Sequence, residues 1–203
     1  MASSLVRGKY IICEVLSAED SKIIEDGAIY QIDGNIIEIG DYADLRSKYS
    51  PDEVIGSSKF MVIPGLINAH HHNGITPFQL GTLDHPLETL ILSRMGKRQP
   101  NLYLDTKYCA MQMIESGITT VMHNQNLLRL PSDIAMYESS TKVVQAYEES
   151  GMRVAFSLSF KDQNTLLYED DEAFLATLPL DLNRDVRAFQ EERPISMEQY
   201  LAM

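Results

Sequence analysis

The sequence predicts an α/β protein in two parts. Residues 1–63 contain short apolar, strand-forming runs separated by turn signals, whereas residues 64–203 alternate apolar strands with amphipathic helices. Alternation of this kind is typical of βα units that share a parallel sheet. The pattern changes at Pro64-Gly65. We therefore expect a small sheet or sandwich in the first part and βα units in the second.

In the first part, the turn signal at Asp33-Gly34 is the most specific feature. It separates two apolar runs, 27–32 and 35–39, and an Asp-Gly pair in this position favours a tight hairpin because the turn needs positive φ angles. Apolar runs at 5–15 and 59–63 predict two further strands, and residues 42–49 can form a short helix.

In the second part, strands are predicted at 66–69, 118–122 and 152–160, with helices at 101–116 and 141–150. Leu104, Tyr108 and Met111 recur at helical spacing in the first of these helices. The tripeptide Glu-Ser-Gly precedes both the second and the third strand, where glycine is expected to end a helix. The pattern becomes irregular after Phe160, and another helix can begin at Ser196.

Composition and charge narrow the classes of function. The 203 residues carry a formal net charge of -12 and no cluster of Lys and Arg, so nucleic acid and anionic membrane are not the expected partners. Two distant cysteines, Cys13 and Cys109, predict no disulfide framework. The chain shows neither a signal peptide nor an apolar run of about 20 residues. A soluble, cytoplasmic protein is the expectation.

The most informative residues are the three consecutive histidines that follow strand 66–69. Successive side chains of a strand point to opposite faces, so His70 and His72 share one face and His71 lies on the other. Two imidazoles on one face can bind one metal ion, and zinc and iron both accept such ligands. Two alternatives stay open at this point: a solvated histidine loop, and a small metal-binding module that uses all three histidines.

Several segments resemble the amidohydrolase superfamily, and more closely its deaminase and chlorohydrolase-like branch. They are Ile-Ile-Glu-Asp-Gly-Ala-Ile at 23–29, Gly-Asn-Ile-Ile-Glu-Ile-Gly at 34–40, Val-Ile-Pro-Gly-Leu-Ile-Asn-Ala-His-His-His at 62–72, Gly-Ile-Thr-Thr-Val at 117–121 and Gly-Met-Arg-Val-Ala-Phe at 151–156. The resemblance implies part of a β-sandwich at 1–63 and, at 64–203, the first three βα units of a metal-dependent-hydrolase (β/α)8 barrel. It also implies that His70 and His72 are metal ligands.

The resemblance further implies a function. Family members use a metal-activated water to hydrolyse C–N bonds, as in deaminases, or C–Cl bonds of small, often cyclic substrates. One divalent metal is expected, with zinc favoured over iron. The remaining ligands and the catalytic carboxylates follow later strands, so the catalytic residues are expected beyond the chain end. A full barrel takes about 250 residues, more than this chain contains, and we expect the chain alone to be inactive.

Two interpretations of the short length remain open. The favoured one is that the chain is the N-terminal part of a longer enzyme. The alternative is a catalytically incomplete remnant or partner subunit that associates through an open barrel edge, either with a second copy or with a complementing chain.

Four residues are candidates for lining the substrate pocket. His123 follows strand 118–122 and is expected at the same rim as the metal ligands, together with Asn124 and Gln125. A hydrogen-bonded structural histidine is the alternative for His123. The other candidates lie in loops after predicted strands, where a plain polar loop is the alternative: Gln79, Gln163 and Asn164.

Overall fold

The structure is a computed structural model that describes residues 2–72, 86, 89–90, 93, 97–98, 100–125, 133–159, 170–191 and 196–202. The chain forms two compact units, Met1–Gly65 and Leu66–Met203. Each unit contains one sheet and at least one helix. The predicted α/β class is therefore confirmed.

The first unit contains a four-stranded mixed sheet and a short helix. The strands follow the order β3-β2-β1-β4, in which β1 pairs antiparallel with β2 and parallel with β4, and β2 pairs antiparallel with β3. Their bounds, with that of the helix, are β1 Ser3–Val15, β2 Ser21–Ile32, β3 Asn35–Asp41, α1 Tyr42–Lys48 and β4 Glu53–Val62.

The predicted hairpin at Asp33-Gly34 is confirmed. Ile32 pairs with Asn35 across the turn, and both turn residues have positive φ angles, 48° at Asp33 and 80° at Gly34. Asp41 then caps α1, because its carboxylate accepts hydrogen bonds from the first backbone amides of the helix. The helix places Leu45 in the core of this unit, against Leu5, Ala28 and Tyr30.

The second unit contains a three-stranded parallel sheet in the order β5-β6-β7. The strands are β5 Leu66–His71, β6 Ile118–Asn124 and β7 Arg153–Ser157. Two long helices connect them in the described part of the chain, and their buried residues form a core with Val121 of the central strand. The helices are α2 Leu102–Glu115, α3 Asp133–Ser150, α4 Asp171–Leu175, α5 Leu180–Glu191 and α6 Met197–Ala202.

Both long helices end at glycine, as the Glu-Ser-Gly repeat predicts. Gly117 and Gly151 have φ angles of 81° and 75°, and each amide donates to a carbonyl three residues earlier, Ile114 or Glu148. A glycine in the left-handed conformation is a common helix terminator. It turns the chain directly into β6 and β7.

One sequence-based expectation is wrong. The stretch after Phe160 is not irregular throughout, since α4 and α5 lie within it. The predicted helix at 101–116 is present as α2, but the residues that recur at helical spacing, Leu104, Tyr108 and Met111, are exposed, whereas the buried residues are Asp105, Thr106, Cys109, Ala110 and Met113. Helical periodicity identifies a helix, but several of its faces can carry apolar residues.

Across the described ranges, no helix is both long enough and apolar enough to span a membrane.

Candidate metal centre

The histidine triplet lies at the C-terminal end of β5, next to the C-terminal end of β6. The parallel register pairs His71 with His123, and β6 pairs with β7 through Asn124 and Ser157. Because all three strands run parallel, their carboxyl ends meet at one edge of the sheet. In parallel α/β folds this edge carries the ligands and the chemistry.

His70 and His72 point together. Their Nε2 atoms lie 2.9 Å apart, and the two rings are nearly perpendicular, with centroids 4.7 Å apart. His70 is exposed and His72 is half-buried. The backbone amide of His70 also donates to Oδ1 of Asn68 at 3.2 Å, which holds the end of the strand.

Asn124 at the end of β6 contacts both histidines. Its backbone oxygen lies 2.7 Å from Nδ1 of His72, and its side-chain Nδ2 lies 3.3 Å from Nδ1 of His70. A carbonyl oxygen only accepts, so His72 carries a proton on Nδ1, and in the neutral ring the Nε2 lone pair is free. That is the form in which an imidazole binds a metal ion.

His71 lies on the opposite face of β5. Its ring contacts that of His123, with centroids 5.8 Å apart, and its Nε2 has no hydrogen-bond partner among the described residues. Burial, with the nearby His72, lowers the pKa of His71 below its ordinary value, although the Asp105 carboxylate opposes this shift. The structure therefore separates His71 from His70 and His72, as strand alternation predicts.

His123 is fully buried between β6 and α3. Its Nδ1 lies 2.9 Å from the Tyr147 hydroxyl, and its Nε2 lies 3.1 Å from Oε1 of Gln125. The amide oxygen accepts from Nε2, so the hydroxyl donates to Nδ1 and the ring is neutral. Burial lowers the pKa of His123 to about 4. Sequence reasoning missed Tyr147 as its partner, because only the fold brings residues on α3 and β6 together.

His123 does not share the face of His70 and His72, although the sequence places it at their rim. Successive residues of β6 alternate, so Asn124 takes that position and His123 points towards α3. The other pocket candidates, Gln79, Gln163 and Asn164, lie outside the described residues. Their role in binding substrate stays a prediction.

The two histidines fit a divalent metal as part of its ligand set. Zinc–imidazole bonds are about 2.0–2.1 Å long, so two Nε2 atoms 2.9 Å apart can share one ion, and the His72 tautomer is already suitable. A catalytic zinc takes three protein ligands. Among the described residues, no group of three or more His, Cys, Asp or Glu side chains is arranged to bind a metal.

The chain resembles deaminases and other hydrolases over part of their length. No family model matches the chain. Among curated proteins, it is 27% identical over 162 residues to a 5-methylthioadenosine/S-adenosylhomocysteine deaminase of Pelotomaculum thermopropionicum. The match covers 77% of this chain and 34% of the relative. The chain thus spans about a third of the length of the curated relatives it matches.

Two solved structures share the fold. An adenosine deaminase from Xanthomonas campestris with bound zinc has a TM-score of 0.60 and 21% identity, over 86% of this chain and 38% of its own. An atrazine chlorohydrolase from Arthrobacter aurescens TC1, complexed with zinc, has a TM-score of 0.59 and 21% identity, over 85% and 41%. The predicted resemblance to the amidohydrolase superfamily is confirmed over part of the length of its members.

Proposed function

We propose that this chain is the N-terminal, metal-binding part of a hydrolase that cleaves a C–N bond of a small cyclic substrate by a metal-activated water. In this proposal His70 and His72 bind one divalent ion, with zinc favoured over iron. The curated relatives are deaminases of adenosine derivatives, which favours an aminopurine nucleoside as substrate. Hydrolysis of a C–Cl bond is the second candidate, favoured by the chlorohydrolase likeness.

One observation carries the proposal: the two Nε2 atoms lie 2.9 Å apart at the C-terminal end of β5. A zinc ion bound there would lower the pKa of a water molecule towards about 7 and supply a hydroxide nucleophile at neutral pH. This chain's own contribution is to hold the two imidazoles in place. His72 is fixed through Nδ1 by the Asn124 carbonyl, and a fixed ligand loses less freedom when it binds the ion.

The fold supports a more specific proposal for the second unit. We assign β5, β6 and β7 to the first three strands of a (β/α)8 barrel, and the first unit to part of the small sandwich expected before the barrel in the chain. Two histidine ligands alone do not make a catalytic zinc site. The proposed activity therefore belongs to a protein that supplies the later ligands.

The test is a zinc titration of the purified chain, by calorimetry or competition with a chromophoric chelator. We expect His70→Ala and His72→Ala to weaken zinc binding at least tenfold, because each removes one of the two ligands. His71→Gln is the matched control: it changes the histidine between them, which lies on the other face of β5. Circular dichroism confirms that each variant is folded.

The outcomes separate the candidate functions. Equal zinc affinity in the wild type and both alanine variants would refute the proposed site. Equal loss in His71→Gln would instead favour a module that uses all three histidines. The same preparation is assayed for ammonia release from 5-methylthioadenosine. We expect none from this chain alone, and turnover by the purified chain would contradict the assignment of the catalytic residues to a later segment.

The alternative function is a catalytically incomplete subunit that associates through a sheet edge. It is favoured by one feature of the second unit: within the described residues, β5 and β7 each pair with a strand on one side only. Unpaired strand edges promote association.

A further inference from the structure

Asn124 offers each candidate ligand a different group. Its backbone oxygen faces Nδ1 of His72 at 2.7 Å, whereas its carboxamide nitrogen faces Nδ1 of His70 at 3.3 Å. The first contact does not depend on the side chain at this position. The second depends on it entirely.

The hydrogen bonds among these three residues form a closed set. The carboxamide nitrogen only donates, so Nδ1 of His70 accepts and the His70 proton lies on Nε2. That Nε2–H then donates to Nε2 of His72 across 2.9 Å. His72 in turn donates from Nδ1 to the Asn124 carbonyl. Each ring nitrogen in the set thus has one role, and in this arrangement the two histidines are opposite tautomers.

We infer that Asn124 is a positioning residue that sets the tautomers of both histidines, and thereby prepares them for a metal ion. The inference deepens the proposed function and rests on it. In the metal-free form His72 is ready to bind through Nε2, but the Nε2 of His70 is protonated. Metal binding requires His70 to move its proton to Nδ1, where a hydrogen-bond acceptor is then needed.

A carboxamide can serve both forms of His70. In the orientation found in the structure it presents Nδ2 to Nδ1 of His70, which then accepts and carries no proton. Turned about its terminal bond, it presents Oδ1 to a protonated Nδ1. Asparagine thus stabilises the metal-free pair and the metal-bound pair in turn. An aspartate at this position only accepts, and therefore favours the metal-binding tautomer alone.

The test uses the full chain, metal-free, at about pH 8, above the ordinary pKa of a histidine side chain. Two-bond 1H–15N NMR correlation spectra distinguish Nδ1–H from Nε2–H imidazoles. We expect Nε2–H at His70 and Nδ1–H at His72 in the wild type. In Asn124→Asp, His70 changes to Nδ1–H and His72 does not change. In Asn124→Leu, His72 also keeps Nδ1–H, since its partner is a backbone oxygen.

Zinc affinity provides the second readout. We expect Asn124→Leu to bind zinc about tenfold more weakly, in line with the loss of other groups that orient metal ligands, and Asn124→Asp to bind at least as tightly as the wild type. Met122→Leu is the matched control, because Met122 precedes Asn124 by two residues on the same face of β6. Its zinc affinity and its histidine tautomers should equal those of the wild type.

The two failures can be told apart. If the wild type binds zinc no better than His72→Ala, the proposed function fails, while the metal-free tautomers still decide the role of Asn124. If zinc binds at His70 and His72 but Asn124→Leu has wild-type affinity, the inference is overturned and the site stands. Retention of Nε2–H at His70 in Asn124→Asp overturns it equally.

Discussion

A buried, neutral histidine lies directly behind the candidate ligands. His123 accepts from the Tyr147 hydroxyl and donates to Gln125, and it stacks on Phe156 with ring centroids 5.3 Å apart. Buried polar groups that lack partners cost free energy. The arrangement therefore indicates a structural role for His123, in which its hydrogen bond to Tyr147 connects α3 to the central strand.

The burial of His123 predicts a dependence of stability on pH. Its pKa is about 4 in the folded chain, against an ordinary value of 6.5, so the unfolded chain takes up the proton first as the pH falls. Above pH 6.5 the residue is neutral in both states. Between pH 6.5 and about pH 4, it should lower the free energy of unfolding progressively, by up to ~3 kcal/mol.

The measurement is urea unfolding of the metal-free chain across this pH range, compared with His123→Phe. Phenylalanine keeps an aromatic ring against Phe156 but cannot take up a proton. The difference in pH slope between the two proteins isolates His123 from the other titrating groups, including His71. Parallel pH profiles for the wild type and the variant would contradict the prediction, whatever the variant's absolute stability.

The pairing of the candidate ligands His70 and His72 could be predicted at this scale because strand alternation is a local rule. It separates His70 and His72 from His71, and the structure agrees. The same rule, applied one strand later, puts His123 and Asn124 on opposite faces, but the sequence does not say which residue ends up facing the ligands. That depends on the register between β5 and β6, which is a long-range property.

At the scale of elements, the ends of α2 and α3 could be predicted from the sequence, because each helix is followed by a glycine that can adopt a left-handed conformation. The extent of β2 could not, because its first half, which includes Lys22, Glu25 and Asp26, is charged and pairs with β1 only in the folded sheet. The buried face of α2 could not be predicted from the spacing of its apolar residues either. Asp105 and Thr106 are buried there while Leu104 is exposed, since the sheet and α3 decide which face is covered.

Gly117 offers a direct test of the helix end. A Cβ atom added there would meet nothing within 4 Å, so the cost of a substitution comes from the φ angle of 81° alone. We expect Gly117→Ala to lower the free energy of unfolding by about 1 kcal/mol. Gly117→Asn should lower the free energy of unfolding by less, because asparagine tolerates the left-handed region better than alanine does.

Gly40→Ala is the control for the general effect of replacing glycine. Gly40 has no positive φ angle, and the added Cβ would make ordinary contacts with Leu45 at 3.7 Å or more. Its stability should equal or slightly exceed that of the wild type. Thermal or urea unfolding gives the comparison. If Gly117→Ala were as stable as Gly117→Asn, the left-handed conformation would not be the source of the cost.

At the scale of the whole molecule, the second unit has both exposed apolar residues and strand edges without a neighbour among the described residues. Leu104, Tyr108 and Met111 of α2 are 52–60% exposed. Within the described ranges, the parallel sheet ends at β5 and β7, each with a single neighbouring strand. In the barrel assignment proposed above, both edges would be paired by further strands. In this chain, the same features predict self-association.

Sedimentation velocity over a range of chain concentrations measures that association. We expect the sedimentation coefficient to rise with concentration, and Ala155→Lys to reduce the rise, because Ala155 is exposed on the edge strand β7 and a lysine there opposes edge-to-edge pairing. Thr141→Lys adds the same charge to an exposed position on α3 and should leave association unchanged. An equal effect of both variants would attribute association to net charge. A wild-type chain that stays monomeric at every concentration would contradict the predicted association with a second copy.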